Sequence, residues 1–460
     1  MSKVLLIYPY FMPADDRSVF RFPPLGVAYL ASSLIQAGHE VQILDCTFLD
    51  KDEALQQALG FQAEVVGVYC MVTMLDDCMW FARRMRAEAR LLIAGGPLPT
   101  CDPQAFVQDF DVVVRGEGET TVVELLQAYE NKKNLSTVAG ICMLAEGATR
   151  GQISKEMIST PNRPFNMRLD GLPFPARHLL PNQSYIQFCK KKYGYSITTV
   201  MSTRGCPYRC EFCSNIIFGG TYRERSARNV VHEVEQALAL GYERISFADD
   251  IFTLHQKRVW EVCRAIIKRG LQFQWECLAR VDSLSDATYL QMYKAGCRRV
   301  YFGIESGDDS ILKLMNKKIT TEEAKHAVMA ARQAGLEVGA FFILFYPGDT
   351  IQSVLNTLHF ATSLPLDYLG LSMPYPLPGT PLYDRVKDKI YREWHPGASV
   401  FGNHMLIYKS EFSETKMWFG IIKGRVQFEI KRRLNRWGRI GQLVLQFTET
   451  ITDWILVLLH

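Results

Sequence analysis

Thr203-Arg204-Gly205-Cys206-Pro207-Tyr208-Arg209-Cys210-Glu211-Phe212-Cys213 carries three cysteines, spaced four and then three residues apart. Cubane iron–sulfur clusters ordinarily take four cysteine ligands. This run supplies three, so its thiolates can wrap three corners and leave the fourth iron open to a small molecule. Gly205 and Pro207 interrupt helix around the first cysteine, which makes the run a loop able to curl round such a group. The plain alternative is a set of buried structural cysteines that happen to lie close together. The remaining cysteines of the 12 in the chain are scattered and repeat no such spacing, so one cluster is expected.

CxxxCxxC with an aromatic residue directly before the last cysteine resembles the signature of the radical S-adenosylmethionine (SAM) superfamily without departure. The resemblance implies that Cys206, Cys210 and Cys213 ligate a 4Fe-4S cluster and that Phe212 lies beside the adenine of SAM. It also implies that SAM chelates the open iron and that the reduced cluster cleaves it to a 5'-deoxyadenosyl radical.

With 460 residues, the chain has room for two or three domains with sizeable cores. Its hydrophobic content of 48% and charged content of 22% are those of a soluble globular protein. A net charge of +4 raises no global field, and no nucleic-acid partner is expected. Met1-Ser2-Lys3 runs straight into the strand-like Val4-Leu5-Leu6-Ile7 without a signal peptide, so a reducing cytoplasm is the expected compartment.

Residues 1–130 alternate strand candidates (Val4–Tyr8, Val41–Leu44, Val65–Tyr69, Leu91–Ala94, Val112–Val114) with helical patterns near Leu25–Ala37, Lys51–Leu59, Leu75–Ala89, Pro103–Asp109 and Thr120–Glu130. This is the pattern of a doubly wound, Rossmann-like parallel sheet, with ligand sites beyond the carboxyl ends of its strands. Those ends carry Pro9–Pro24, Cys70–Met74, Gly95-Gly96-Pro97-Leu98-Pro99-Thr100 and Arg115-Gly116-Glu117-Gly118-Glu119. Paired glycines let backbone approach a bulky ligand. On spacing alone, they need make nothing more than turns.

Pro23-Pro24-Leu25-Gly26-Val27-Ala28-Tyr29-Leu30-Ala31, Ala94-Gly95-Gly96-Pro97 and Arg115-Gly116-Glu117-Gly118-Glu119 resemble the cobalamin-binding domain found ahead of many radical SAM barrels. That resemblance implies cobalamin as a cofactor, with Gly26, Gly95, Gly96 and Glu117 at its site. Two departures stand out. There is no DxHxxG to ligate cobalt from below, and Leu98 stands where many relatives have the histidine of a GGxHxT run.

Residues 131–196 read as a connector, with an edge strand in Val138–Leu144 and a helix-breaking linker at Asp170-Gly171-Leu172-Pro173-Phe174-Pro175-Ala176-Arg177. From residue 197 to 385 the alternation resumes. Strands are expected at Thr198–Ser202, Arg244–Phe247, Phe273–Leu278, Arg299–Ile304, Glu337–Leu344 and Tyr368–Met373, a partial (β/α)6 barrel with its chemistry at the carboxyl ends. The cysteine loop follows the first of these strands. Asp249 and Asp250 follow the second, Arg280 the third, Glu305 and Ser306 the fourth, and Phe345-Tyr346 the fifth. Carboxylates suit the ammonium and ribose hydroxyls of SAM, and arginine suits its carboxylate. By resemblance, Ala248-Asp249-Asp250 takes the place of the motif that holds the methionyl amine, while Arg280, Glu305 and Ser306 match positions facing the SAM carboxylate and ribose. Taken singly, each of these residues also suits a solvated loop or a salt bridge.

Residues 386–460 form a helical tail. Between Lys423 and Arg439 stand seven basic residues (Lys423, Arg425, Lys431, Arg432, Arg433, Arg436, Arg439) and one acid, Glu429. Then Ile440, Leu443, Val444, Phe447, Ile451, Trp454, Ile455 and Leu458 fall on one helix face. Glu449 and Asp453 on the other side argue against a membrane span. Two readings fit equally: a helix lying on a membrane surface, or one packing its apolar stripe against the barrel.

Together these features point to a radical SAM enzyme with a cobalamin-binding-type domain, similar to the group of anaerobic porphyrin-ester cyclases and lipid or natural-product C-methylases. The reaction expected is cobalamin-dependent C-methylation of a hydrophobic small molecule such as a lipid or porphyrin. An electron donor such as flavodoxin or ferredoxin and peripheral contact with the inner membrane surface are expected with it. The alternatives are cobalamin-free oxidative cyclisation or carbon–carbon coupling on the same scaffold, and a non-catalytic cobalamin or redox sensor.

Overall fold

The computed structural model describes residues 1–14, 21–145, 157–215, 219–391, 407–434 and 438–459. Residues 15–20 of the loop after the first strand lie outside the described residues, as does Arg436 of the tail. The chain forms two compact units, Met1–Val200 with Ile217–Arg244, and Met201–Ile216 with Ile245–Glu393 and His404–His460.

In the first unit, β1 (Lys3–Tyr8), β2 (Glu40–Asp45), β3 (Val65–Tyr69), β4 (Leu91–Gly95), β5 (Val112–Val114), β6 (Ile141–Leu144) and β7 (Met157–Ser159) form one sheet in the order β2-β1-β3-β4-β5-β6-β7. The first five strands pair in parallel, and β6 and β7 add on antiparallel. Side chains alternate across the strands, so each strand feeds two cores. Leu5, Ile7, Val66, Val68, Leu92 and Ala94 face α2 (Lys51–Gly60) and α3 (Leu75–Met85). Val4, Leu6, Val65, Leu91 and Ile93 face α1 (Leu25–Gln36) and, beyond the short α4 (Pro97–Cys101), α5 (Gly118–Glu130). Helices on both faces of a parallel sheet make the doubly wound fold expected. Pro103–Ala105 forms only a single 3-10 turn where a longer helix was expected.

The expected linker is packed into this unit. Ala176 N–H donates to Ala28 O at 3.0 Å, and Ser32 Oγ donates to Phe174 O at 2.5 Å. After it, α6 (Asn182–Tyr193) sets Tyr185 O–H 2.8 Å from Asp45 Oδ2. The chain continues through β8 (Ile197–Val200), β9 (Thr203–Arg204), β10 (Arg223–Glu224) and α7 (Ala227–Ala239). From α7, Glu233 is fully buried between Arg177 and Arg225 and also accepts from Tyr29 O–H at 3.0 Å.

The second sheet has the order β15-β14-β13-β12-β11-β8. Its strands β11 (Arg244–Phe247), β12 (Gln274–Ala279), β13 (Cys297–Glu305), β14 (Glu337–Ile343) and β15 (Tyr368–Ser372) alternate with α8 (Gln256–Lys268), α9 (Asp286–Lys294), α10 (Asp309–Leu314), α11 (Thr321–Gln333) and α12 (Ile351–Ser363). The pairs β12–β13, β13–β14 and β14–β15 are parallel. This is the six-stranded partial barrel. After α13 (Pro381–Val386), α14 (Glu414–Leu434) and α15 (Gly438–Leu458) pack on one another.

Candidate active site

The cysteine loop leaves β9 through Gly205, whose φ of +80° lies in the left-handed region that glycine enters without strain. Gly205 N–H donates to Asp250 Oδ2 at 3.1 Å, and Asn215 Nδ2 donates to Cys206 O at 2.8 Å. The loop is also pinned to its surroundings by backbone. Glu211 N–H donates to Met315 O and Glu211 O accepts from Leu382 N–H, both at 3.0 Å. The Glu211 carboxylate takes Tyr346 O–H at 3.1 Å and pairs with Arg385.

Cys206, Cys210 and Cys213 are free thiols, each half-buried. Burial pushes the Cys213 thiol up to about 11, so thiolates here call for a positive group among them. Among the described residues, no three His, Cys, Asp or Glu side chains converge on a single ion. Ligands to different irons of a cubane need not converge on one point. Among the described residues, a buried Thr203 hydroxyl and the side-chain oxygen of Asn215 have no hydrogen-bond partner at the loop's base. The donor set fits a cluster held by three corners.

Around the loop stand the strand ends. Asp249 is buried and accepts from Ser202 N–H at 2.6 Å, Thr203 N–H at 2.9 Å and the Ser202 hydroxyl. Its carboxylate is spent on holding the backbone that enters the loop, whereas its neighbour Asp250 is exposed. Arg280 is buried, with Cζ 3.5 Å from the Tyr208 ring centre. Its Nε and Nη2 reach Asp282 at 2.9 and 3.0 Å, and Nη2 also reaches Lys317 O at 3.1 Å. Glu305 ends β13 at φ +74°, where the pairing with β14 slips register, and accepts from Lys317 Nζ at 2.9 Å. Burial opposes the Lys317 ammonium, but Glu305 and Cys210 together hold the lysine above its ordinary pKa. Ser306 is buried, sharing a 3.0 Å hydrogen bond with Thr357. Phe212 meets Tyr346 edge-on, with ring centres 6.4 Å apart, and Lys317 Nζ stands 5.8 Å from its ring centre.

Sequence reasoning missed Lys317 and Tyr208. Tyr208 lies between the first two motif cysteines but its partner Arg280 comes from another strand end, while Lys317 stands twelve residues beyond Glu305, outside any motif.

In the first unit, the sheet order reverses between β1 and β3, the switch point where doubly wound sheets bind ligands. Tyr8 and Tyr69 stand there at the strand ends, ring centres 5.4 Å apart. Gly26 is exposed, and a Cβ on it would meet nothing within 4 Å, so packing does not demand a glycine. A Cβ on Gly95 would touch only Val114, at 4.0 Å. Gly96 differs: at φ +115°, a Cβ would come within 2.6 Å of Cys70 O. Glu117 spends its carboxylate on Arg223, at 2.8 and 2.9 Å, and on Asn166 N–H at 3.1 Å. Bare backbone at Gly26 and Gly95 leaves room for a large flat ligand such as a corrin.

Two family models match the chain, the radical SAM superfamily over residues 200–361 and the B12 binding domain over residues 16–126. An uncharacterized methyltransferase of Pyrococcus horikoshii is 33% identical over 397 residues, covering 84% of this chain and 83% of that protein. The anaerobic magnesium-protoporphyrin IX monomethyl ester cyclase of Cereibacter sphaeroides is 27% identical, covering 84% of this chain and 64% of the cyclase. Among solved structures, the radical SAM methyltransferase TsrM of Kitasatospora setae has a TM-score of 0.71 at 20% identity, over 84% of this chain and 78% of TsrM. The cobalamin-dependent radical SAM enzyme OxsB has a TM-score of 0.74 at 16% identity, over 99% of this chain and 72% of OxsB. The chain belongs to the radical SAM superfamily, in the group whose barrel follows a B12-binding domain. It is an enzyme of the cobalamin-dependent radical SAM methyltransferase type, with a 4Fe-4S cluster, SAM and cobalamin as cofactors.

Proposed function

We propose that this enzyme methylates an unactivated carbon of a hydrophobic small molecule, such as a lipid or a porphyrin. The observation that carries the reading is the loop of three free, half-buried cysteines ringed by polar residues at consecutive strand ends. When bound, the cluster and SAM supply a 5'-deoxyadenosyl radical for hydrogen abstraction, and cobalamin supplies the methyl group.

The chain's own part is holding, orienting and excluding water. Cys206, Cys210 and Cys213 hold the cluster, and Phe212 lies against adenine. Asp250 takes the methionyl ammonium, and Glu305, steadied by Lys317, takes the ribose hydroxyls. Arg280 favours the SAM carboxylate while bracing the cysteine loop. Asp249 and Ser306 act through the backbone they hold. Gly26, Gly95 and Gly96 admit the corrin, and Glu117 supports that loop through Arg223. Electrons come from a flavodoxin or ferredoxin in the cytoplasm, and a hydrophobic substrate suits a peripheral position at the inner membrane surface.

Lipid, porphyrin and peptide extracts of the host with and without the gene test the reading. A product heavier by one methylene than its precursor, absent after deletion, is expected. A ring-closed or coupled product with no added methyl, or one unaffected by cobalamin starvation, would overturn it.

A further inference from the structure

Helix α15 is built the wrong way round for a helix of a soluble core. Leu443, Phe447, Trp454 and Leu458 are each 65–68% exposed, and Val444, Ile451 and Ile455 are exposed beside them. At 3.6 residues per turn these seven fall within an arc of about 120°. The opposite, polar face does the packing. Gln427 Nε2 donates to Thr452 at 3.0 Å, Thr362 donates to Glu449 at 3.2 Å, and Asp453 pairs with the fully buried Lys423 at 2.7 Å and with His359 at 2.9 Å. Leu456 is the one large apolar side chain of the helix found buried among the described residues. The stripe that packing against the barrel should have buried is therefore turned outward.

The helix packed beside it, α14, adds exposed cations. Arg425, Arg432 and Arg433 are exposed on α14, and Glu429, the acid among them, is spent on Arg432 at 3.2 Å. Arg436 and Arg439 follow in the chain. No helix of the described residues is long and apolar enough to cross a membrane. An outward apolar arc with tryptophan and phenylalanine, a polar underside and exposed cations on the helix packed beside it match an anionic lipid surface, with the apolar arc sunk to the headgroup–acyl boundary.

We infer that α15 docks the enzyme onto a bilayer of anionic phospholipid. The inference stands on this face alone and does not need the reaction proposed above, although a lipid or porphyrin substrate would be met at such a surface. The test is sedimentation of the holoprotein, purified without oxygen, with vesicles of phosphatidylglycerol and phosphatidylethanolamine or of phosphatidylcholine alone. Most of the protein should pellet with the anionic vesicles at low salt, and at least tenfold less with phosphatidylcholine. Replacing Phe447 and Trp454 together by Glu, or more mildly by Ser, should cut binding at least tenfold while thermal unfolding and SAM cleavage stay as in wild type. Arg432→Glu with Arg433→Glu should abolish the preference for anionic vesicles. Wild-type protein that stays in the supernatant with both vesicle types overturns the inference, as do stripe variants that pellet like wild type. A dimer that the stripe variants dissociate, with no vesicle binding, assigns the face to a second copy of the chain and overturns it too. Loss of SAM cleavage with vesicle binding intact would count against the proposed reaction and leave the docking standing.

Discussion

The Cζ of Arg280 stands 3.5 Å from the centre of the Tyr208 ring, so the end of β12 is clamped onto the cysteine loop between its first two cysteines. The same guanidinium ties down Asp282 and the Lys317 carbonyl. Arg280→Ala would leave that carboxylate and carbonyl without their donor, at a cost of roughly 2–3 kcal/mol. The expected result is a lower iron content as well as SAM binding weakened about tenfold or more. Iron content and unfolding temperature equal to wild type would mean that Arg280 does not brace the loop.

Glu233 is the pivot of the first unit's buried charge. Glu233→Ala would strand Arg177 and Arg225, both buried, and should destabilise the protein by about 3–5 kcal/mol. Thermal unfolding should fall by several degrees. An unchanged transition would show that the two arginines find other partners.

Much of this architecture is legible in the chain. Most strands of both sheets lie within two residues of where apolar runs put them, because they are short apolar runs bounded by turns; β6 begins three residues later than expected, and β7, short and partly exposed, was not expected at all. Helix α6 was not legible: Asn182–Tyr193 is mostly polar and buries only Tyr185, Ile186 and Cys189. Nor were side-chain commitments. Cysteine spacing is local, but Glu117 finds Arg223 across more than a hundred residues, and Asp249 finds Ser202 across nearly fifty. A sequence shows which side chains a strand end offers, and only the fold shows which are already taken. The tail teaches the same lesson: periodicity reveals an apolar face on α15, while its neighbours decide which way that face points.

Gly26 and Gly96 separate ligand space from packing space. Gly26→Phe has open room in the fold, so unfolding should be near wild type while cobalamin retained after purification drops several-fold. Gly96→Ala collides with Cys70 O and holds a left-handed φ, so it should lower the unfolding temperature instead. Absorbance spectra of the purified variants read the first effect. Full cobalamin retention in Gly26→Phe would move the corrin away from this helix start.

Asp349 carries a pH dependence. Burial raises its carboxyl from 3.8 to about 6, against the hydrogen bonds from Ser353 and the Tyr346 backbone. The folded state therefore favours the proton. The stability due to this group is fully present below pH 3.8 and is lost as pH rises through about 6. Asp349→Asn should flatten the wild-type decline across that window in denaturant titrations. The same slope in both proteins would assign the decline to other groups.

The central claim is that Cys206, Cys210 and Cys213 hold a cluster that cleaves SAM. Its most direct test is iron content and 5'-deoxyadenosine formation, measured without oxygen on wild type and on the variant with all three cysteines changed to Ala. Wild type should bind about four irons per chain and form 5'-deoxyadenosine on reduction, and the triple variant should do neither. A triple variant that still cleaves SAM would contradict the account.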